Sequence, residues 1–122
     1  MKKIMIIDDD ESLARVLEFN LLREGYLVLK NFTGSQAMES IEKGEIADLI
    51  ILDLKLPDID GLELMKKIKD HSDVPIIINS GYANYKSDFN SWLADDYLIK
   101  SADLGELHDR IRAALDRSLD RF

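Results

Sequence analysis

ADLIILDLKLPDIDGLELMKKI, residues 47 to 68, holds a strand, a loop and a helix in succession. Ala47 to Leu52 is expected to form a strand, its apolar run Leu49 to Leu52 suits one covered on both faces, and it stops at Asp53. Asp60, with Glu63 three residues on, has capping-box spacing, and Leu64, Met65 and Ile68 follow at helical intervals. One such unit leaves a carboxylate at the end of a buried strand and passes the chain to a helix that must cover the sheet.

The same alternation extends in both directions. Further strands are expected at Lys3 to Ile7, Tyr26 to Lys30, Val74 to Ile78 and Tyr97 to Ile99. A first helix shows an apolar stripe of Leu13, Val16, Leu17 and Leu21 and a closing Gly25. A second opens at Thr33 with Gln36 three residues later and ends at Gly44. Tyr85 to Trp92 reads as a short fourth helix, and Asp103 with Glu106 opens a last one striped by Leu104, Leu107, Ile111 and Leu115. Five βα units in 122 residues make one domain, an α/β doubly wound fold with a five-stranded parallel sheet.

Composition narrows the function. A net charge of −8 repels nucleic-acid backbones and anionic membranes, so neither is an expected partner of this segment. The chain has no cysteine, which removes disulfides, thiolate nucleophiles and Cys-based zinc sites and suits a cytoplasmic protein. The apolar stretch Ile4 to Ile7 meets Asp8 too soon for a signal peptide, and no run is long enough to span a bilayer.

Doubly wound sheets gather function where strands end, near the topological switch. The expected strands run out into Asp8-Asp9-Asp10, Asp53, Asn79-Ser80 and Lys100. Each residue alone has an ordinary use: Asp10 suits the N-cap of the first helix, and a single aspartate after a strand suits a solvated loop. Together at one sheet edge they form a carboxylate set that repels itself unless a hard cation sits within it. Mg²⁺, which keeps waters and takes substrate phosphate, points to phosphoryl chemistry.

At this point the residues resemble the response-regulator receiver family of two-component signalling, over essentially the whole chain. IMIIDDDESLARVL resembles that family's acidic-pair strand and first helix, LDLKLPDIDGLEL its phosphoacceptor loop with Pro57 and Gly61, IIINSGY its hydroxyl-bearing fourth strand, and ADDYLIK its fifth. The resemblance implies a flavodoxin-like (βα)5 sheet of order 2-1-3-4-5. It implies that Asp53 accepts a phosphoryl group from a histidine kinase or histidine phosphotransfer protein. Asp8, Asp9, Asp53 and the Lys55 backbone carbonyl would hold Mg²⁺, Ser80 and Lys100 would bind the phosphoryl group, and Tyr97 would change rotamer as the switch. Asp10 is not carried over. On this reading the domain catalyses its own phosphorylation and dephosphorylation, with no separate small-molecule activity.

The chain departs from the family pattern at three places. Ser101 stands where Pro usually follows the lysine; a cis Lys100-Ser101 bond is nonetheless expected, at about 3 kcal/mol. Leu93 replaces a frequent Gly, and Tyr82, two residues after Ser80, is expected to shield the phosphoryl group and slow its hydrolysis. The aromatics Tyr82, Tyr85, Phe89, Trp92 and Tyr97 crowd one segment, where a core-facing stripe and a binding face are both open. By resemblance, the face of fourth helix, fifth strand and last helix serves a homodimer or output contacts, and the first helix docks the kinase. The mixed charges Asp109, Arg110, Arg112, Asp116, Arg117, Asp120 and Arg121 fit plain solvated surface, or an ion-paired dimer face.

Three other functions compete. A degenerate receiver would act as an unphosphorylated interaction module, against which the full set Asp8, Asp9, Asp53, Ser80 and Lys100 argues. A flavin-binding protein of related architecture would need a phosphate loop where Asp8-Asp9-Asp10 stand. An aspartate-nucleophile phosphatase would want a second acid at position 55, which is Lys. Whether the segment is free-standing or belongs to a longer regulator with a DNA-binding or enzymatic output stays open.

Overall fold

A computed structural model describes residues 1–45, 47–81, 94–100 and 103–119. In chain order the elements are β1 (Lys3–Ile7), α1 (Glu11–Arg23), β2 (Leu27–Asn31), α2 (Gly34–Glu42), β3 (Leu49–Leu52), α3 (Gly61–His71), β4 (Ile76–Ser80), β5 (Asp96–Ile99) and α4 (Leu104–Leu119). The strands form one parallel sheet of order β2-β1-β3-β4-β5, as expected. The expected helix at Tyr85 to Trp92, the Lys100-Ser101 peptide bond, Tyr82 and Leu93 lie outside the described residues.

Period-two alternation between two covered faces explains why β3 and all of β1 after Lys3 are apolar. Ile4, Ile6, Leu49 and Ile51 point to one face, where Ala14, Leu17 and Leu21 of α1 and Leu107, Ile111 and Leu115 of α4 cover them. Met5, Ile7, Ile50 and Leu52 point to the other, under Ala37 of α2 and Leu64, Met65 and Ile68 of α3. Burying each large aliphatic side chain contributes about 1.5–3 kcal/mol, so a polar residue on either face would be costly.

The helix boundaries follow their capping chemistry. Asp10, Thr33 and Asp60 accept from the backbone N–H of Leu13, Gln36 and Leu62. Gln36 Oε1 reaches back to the Phe32 N–H at 2.7 Å. After α1, Gly25 takes φ +92° while its N–H bonds the Leu22 carbonyl and that of Tyr26 the Leu21 carbonyl. Gly44 closes α2 in the same way at φ +86°, a left-handed turn that favours glycine.

Two expectations need correction. Val16 is not in the buried stripe of α1: it is 50% exposed, and Ala14 takes its place beside Leu17 and Leu21. At 3.6 residues per turn Val16 lies about 100° round the helix from Leu17, off the covered face. Asn79 and Ser80 do not follow β4 but complete it, paired with Leu98 and Ile99 of β5, and the strand starts at Ile76 rather than Val74. Pro75, which has no N–H to give a ladder, stands just before the strand and supplies only its carbonyl, to Ile50 N–H.

Candidate functional site

The chain passes from β1 to β2 on one side and returns to β3 on the other, so β1 and β3 are neighbours whose following helices leave in opposite directions. Ile7 pairs with Leu52, and the Asp53 N–H bonds the Ile7 carbonyl at 2.9 Å. Asp8 and Asp53 therefore leave the sheet side by side. Both are almost fully buried, 3% and 4% exposed, while Asp9 faces solvent. A carboxylate oxygen from each of Asp8, Asp9 and Asp53 lies within 4.8 Å of the others.

Lys100 arrives from the end of β5, its N–H bonded to the Ser80 carbonyl at 2.8 Å. Its ammonium stands 3.0 Å from Asp8 Oδ2 and 3.1 Å from Asp53 Oδ2. The other oxygens are held by backbone: Asp8 Oδ1 accepts from Asp10 N–H at 2.9 Å, and Asp53 Oδ1 from Lys55 N–H at 3.3 Å. Burial raises the Asp8 pKa above the usual carboxylate value; the Asp10 N–H and Lys100 oppose this, and the Asp53 charge adds to it. Burial works against the Lys100 charge, but the two carboxylates outweigh it and hold the ammonium above the ordinary lysine range.

Above these groups an open cleft of about 570 Å³ is lined by Asp9, Asp53, Lys55, Leu56, Pro57, Gly81 and Lys100. Three carboxylates, two of them buried, against one ammonium leave two formal negative charges at the site. A divalent cation with oxygen ligands fits that donor set in charge and chemistry.

A family model described as the response regulator receiver domain matches residues 4–112. The chain belongs to the response-regulator receiver family. It is 40% identical to the response regulator ArlR of Staphylococcus aureus over 119 residues, which span 96% of this receiver and 54% of ArlR. It thus spans about half the length of the curated relatives it matches. Among solved structures, the response regulator TrrA of Thermotoga maritima in complex with Mg²⁺-BeF is 36% identical with a TM-score of 0.87, covering 93% of this chain and 99% of that one. TrrA has also been solved in complex with the histidine kinase ThkA, and there matches at 35% identity and a TM-score of 0.87, covering 94% of this chain and 99% of that one. A CheY-like receiver from Methanospirillum hungatei matches at 31% identity and a TM-score of 0.93, covering 100% of this chain and 99% of that one. The expected fold and the expected role in two-component signalling are both borne out.

In this receiver the residues singled out in the sequence divide. Asp8, Asp9, Asp53 and Lys100 come together around one point, with Lys55 on the cleft wall. Ser80 is fully buried at the end of β4, one residue short of Gly81 on the cleft wall. Tyr97 of β5 is buried in the core layer shared with α2 and α3. Asp10 caps α1.

Sequence reasoning missed the direct Asp8-Lys100 pair and the role of Asp58. The Asp58 carboxylate, in the loop after Asp53, accepts from Gly34 N–H, Ser35 N–H and Ser35 Oγ at 2.9, 2.9 and 2.8 Å. An exposed aspartate two residues before a helix cap carries no local signal of a bond to another helix. Among the described residues no helix is long and apolar enough to cross a membrane.

Proposed function

We propose that residues 1–122 form a single receiver unit in which Asp53 accepts a phosphoryl group and so switches the surface used for output. The observation that carries this reading is one buried carboxylate, Asp53, beside a lysine ammonium at 3.1 Å and two further carboxylates within ligand reach of one cation. Asp8, Asp9, Asp53 and the Lys55 backbone carbonyl are the proposed Mg²⁺ ligands. When bound, Mg²⁺ supplies positive charge against the transferring phosphoryl oxygens.

An Asp53 oxygen attacks the phosphorus of a phosphohistidine in line; the new O–P bond forms as the P–N bond breaks, and the imidazole leaves with the electron pair. Lys100, already oriented by Asp8 and Asp53, exchanges its contact with Asp53 for one with the phosphoryl oxygens. Ser80 offers its hydroxyl to the same group by an inward shift at the end of β4, and Tyr97 follows into the space this opens. Water cleaves the acyl phosphate and resets the switch.

The proposed donor is a histidine kinase or a histidine phosphotransfer protein, as the ThkA complex of TrrA supports. Its proposed docking surface is α1, where Val16, Phe19 and Leu22 are 50%, 62% and 51% exposed. That helix starts immediately after the Asp8-Asp10 turn, so a partner seated on it can bring a phosphohistidine to Asp53. A homodimer through β5, α4 and residues 85–92 is the proposed output contact. On that face Arg110 pairs within the chain with Asp96 at 3.2 Å. The proposed compartment is the cytoplasm, and neither nucleic acid nor membrane is a proposed contact of this acidic segment.

Incubation with Mg²⁺ and acetyl phosphate tests the reading. An acid-stable, base-labile phosphoryl adduct is expected on the parent and not on Asp53→Ala. A parent that takes no phosphoryl group, or an adduct that persists in Asp53→Ala, overturns it.

A further inference from the structure

The loop from Asp53 to Asp60 is closed at its base. The Gly61 N–H bonds the Leu54 carbonyl at 2.9 Å, Lys55 and Asp60 form a β-bridge, and a Cβ at Gly61 would collide with the Leu54 backbone. Residues 55–60 are thereby a lobe whose neck adjoins the nucleophile. Lys55, Leu56 and Pro57 on this lobe form one wall of the cleft.

The lobe is also fastened at its tip, to an element 23 to 24 residues earlier in the chain. One Asp58 carboxylate takes all three donors of Gly34 and Ser35, and Ile59 occupies the space a side chain at Gly34 would need. These hydrogen bonds are charge-assisted and sit at the positive end of the α2 dipole. The helix does not need them in order to start. Thr33 Oγ1 already takes the Gln36 N–H at 3.0 Å, and Gln36 Oε1 takes the Phe32 N–H. Asp58 takes the first-turn N–H groups of Gly34 and Ser35 that Thr33 leaves open, and because its carboxylate belongs to the lobe these bonds dock the lobe on α2, which the core holds through Ala37, Met38 and Ile41.

We propose that Asp58 is a positioning residue for the metal and phosphoryl site: by clasping the first turn of α2 it holds the cleft wall at residues 55–57 against Asp53. The inference rests on the reading of the cleft given above. It deepens that reading by giving the site a support outside the groups that touch metal or phosphate. With the clasp broken, the wall loses its tie to α2 and keeps those at its base, the Leu54-Gly61 bond and the Lys55-Asp60 bridge, together with the packing of Leu56 and Ile59, so the Lys55 carbonyl is held less firmly. Outer-shell supports of this kind change metal affinity by roughly tenfold or more. Coupling is reciprocal, so Mg²⁺ in turn strengthens the clasp and slows amide exchange at Gly34 and Ser35.

The test is calorimetric titration of MgCl₂ into the whole chain, as the parent, Asp58→Ala, Asp58→Asn and Thr33→Ala, each also unfolded in urea. The expected result is Mg²⁺ affinity lowered roughly tenfold in Asp58→Ala, less in Asp58→Asn, which keeps one acceptor, and unchanged in Thr33→Ala. Thr33→Ala weakens the same helix end without touching the lobe, so it separates positioning from general loss of stability. Parent-like Mg²⁺ affinity in Asp58→Ala overturns the inference, as does an equal loss in Thr33→Ala. If Asp58→Ala does not fold, Asp58→Asn decides on the same terms. A parent that binds no Mg²⁺ overturns the reading of the cleft itself, and the clasp with it; that outcome is distinct from a parent that binds while the Asp58 variants bind equally well.

Discussion

The Lys100 ammonium lies 3.1 Å from the Asp53 carboxylate, across 47 positions of sequence, and the same ammonium holds Asp8. It is the positive group between two buried acids. Lys100→Met takes the ammonium from both acids, leaving them their backbone N–H bonds, and is expected to cost about 1–3 kcal/mol of stability, below the figure for a fully buried pair because Lys100 is partly solvated. It is also expected to slow phosphorylation by acetyl phosphate about a hundredfold, since the ammonium is lost where charge develops. Urea unfolding and a phosphorylation time course measure the two effects.

Two formal negative charges left over among Asp8, Asp9, Asp53 and Lys100 make the fold itself responsive to divalent cations. At Mg²⁺ a hundredfold above Kd, unfolding free energy is expected to rise by about 2.7 kcal/mol. Asp9→Asn is expected to reduce that gain. A urea midpoint unmoved by MgCl₂ in the parent counts against the site.

Gly61 meets the Leu54 backbone so closely that a methyl group has no room: Leu54 O lies 2.7 Å and Leu54 C 2.8 Å from where a Cβ would be. Gly61→Ala is expected to lose about 1–3 kcal/mol through forced displacement of the loop base. Because that base adjoins Asp53, Mg²⁺ affinity is expected to fall with it. Denaturation and calorimetry on the variant check both.

Phe19 stands in solvent on α1 with the Arg23 guanidinium 5.7 Å from its ring centroid. Phe19→Ala is expected to change stability by no more than about 0.5 kcal/mol and to leave labelling by acetyl phosphate untouched. Transfer from a phosphorylated histidine kinase is expected to slow. Equal transfer rates for parent and variant would remove α1 as the docking surface.

The hydrogen bonds from Gly34 and Ser35 hold the Asp58 carboxyl below the usual carboxylate pKa. With the folded pKa depressed, the unfolded chain binds the proton more readily. The stabilisation from Asp58 is therefore present above pH about 3.9 and is lost as pH falls through the lower, folded value. Lys67 and Glu42 line the same hollow. The stability difference between the parent and Asp58→Asn is expected to shrink as urea titrations move from pH 6 to pH 3; a constant difference would show that the charge is not what binds.

Much of the molecule is legible along the chain because its causes are local. Asp10, Thr33 and Asp60 announce helix starts because a side chain bonds an N–H two or three residues away. The runs Ile4 to Ile7 and Leu49 to Leu52 announce two-sided burial because every residue of a strand in a covered sheet meets a core. The aspartates that follow those runs are legible as a set for the same reason: parallel strands end at one edge. The family likeness then gave the set its chemistry.

Other features depend on what the folded sheet brings near. Val16 is apolar and in phase with a broad helical stripe, yet only the position of the sheet decides that it stays outside while Ala14 is covered. Ser80 reads as a residue after a strand and is one within it, because Ile99 of β5 is there to pair with it. The two bonds of Lys100 and the three of Asp58 join residues 23 to 92 positions apart, with no periodicity or spacing to mark them. Sequence by itself determined the elements, the polar edge and the family, because caps, alternation and burial act over a few residues. Only the tertiary structure decided which acids the lysine holds and where the Asp53 loop is tied, because a charge or a hydrogen bond depends on distance in space rather than on order along the chain.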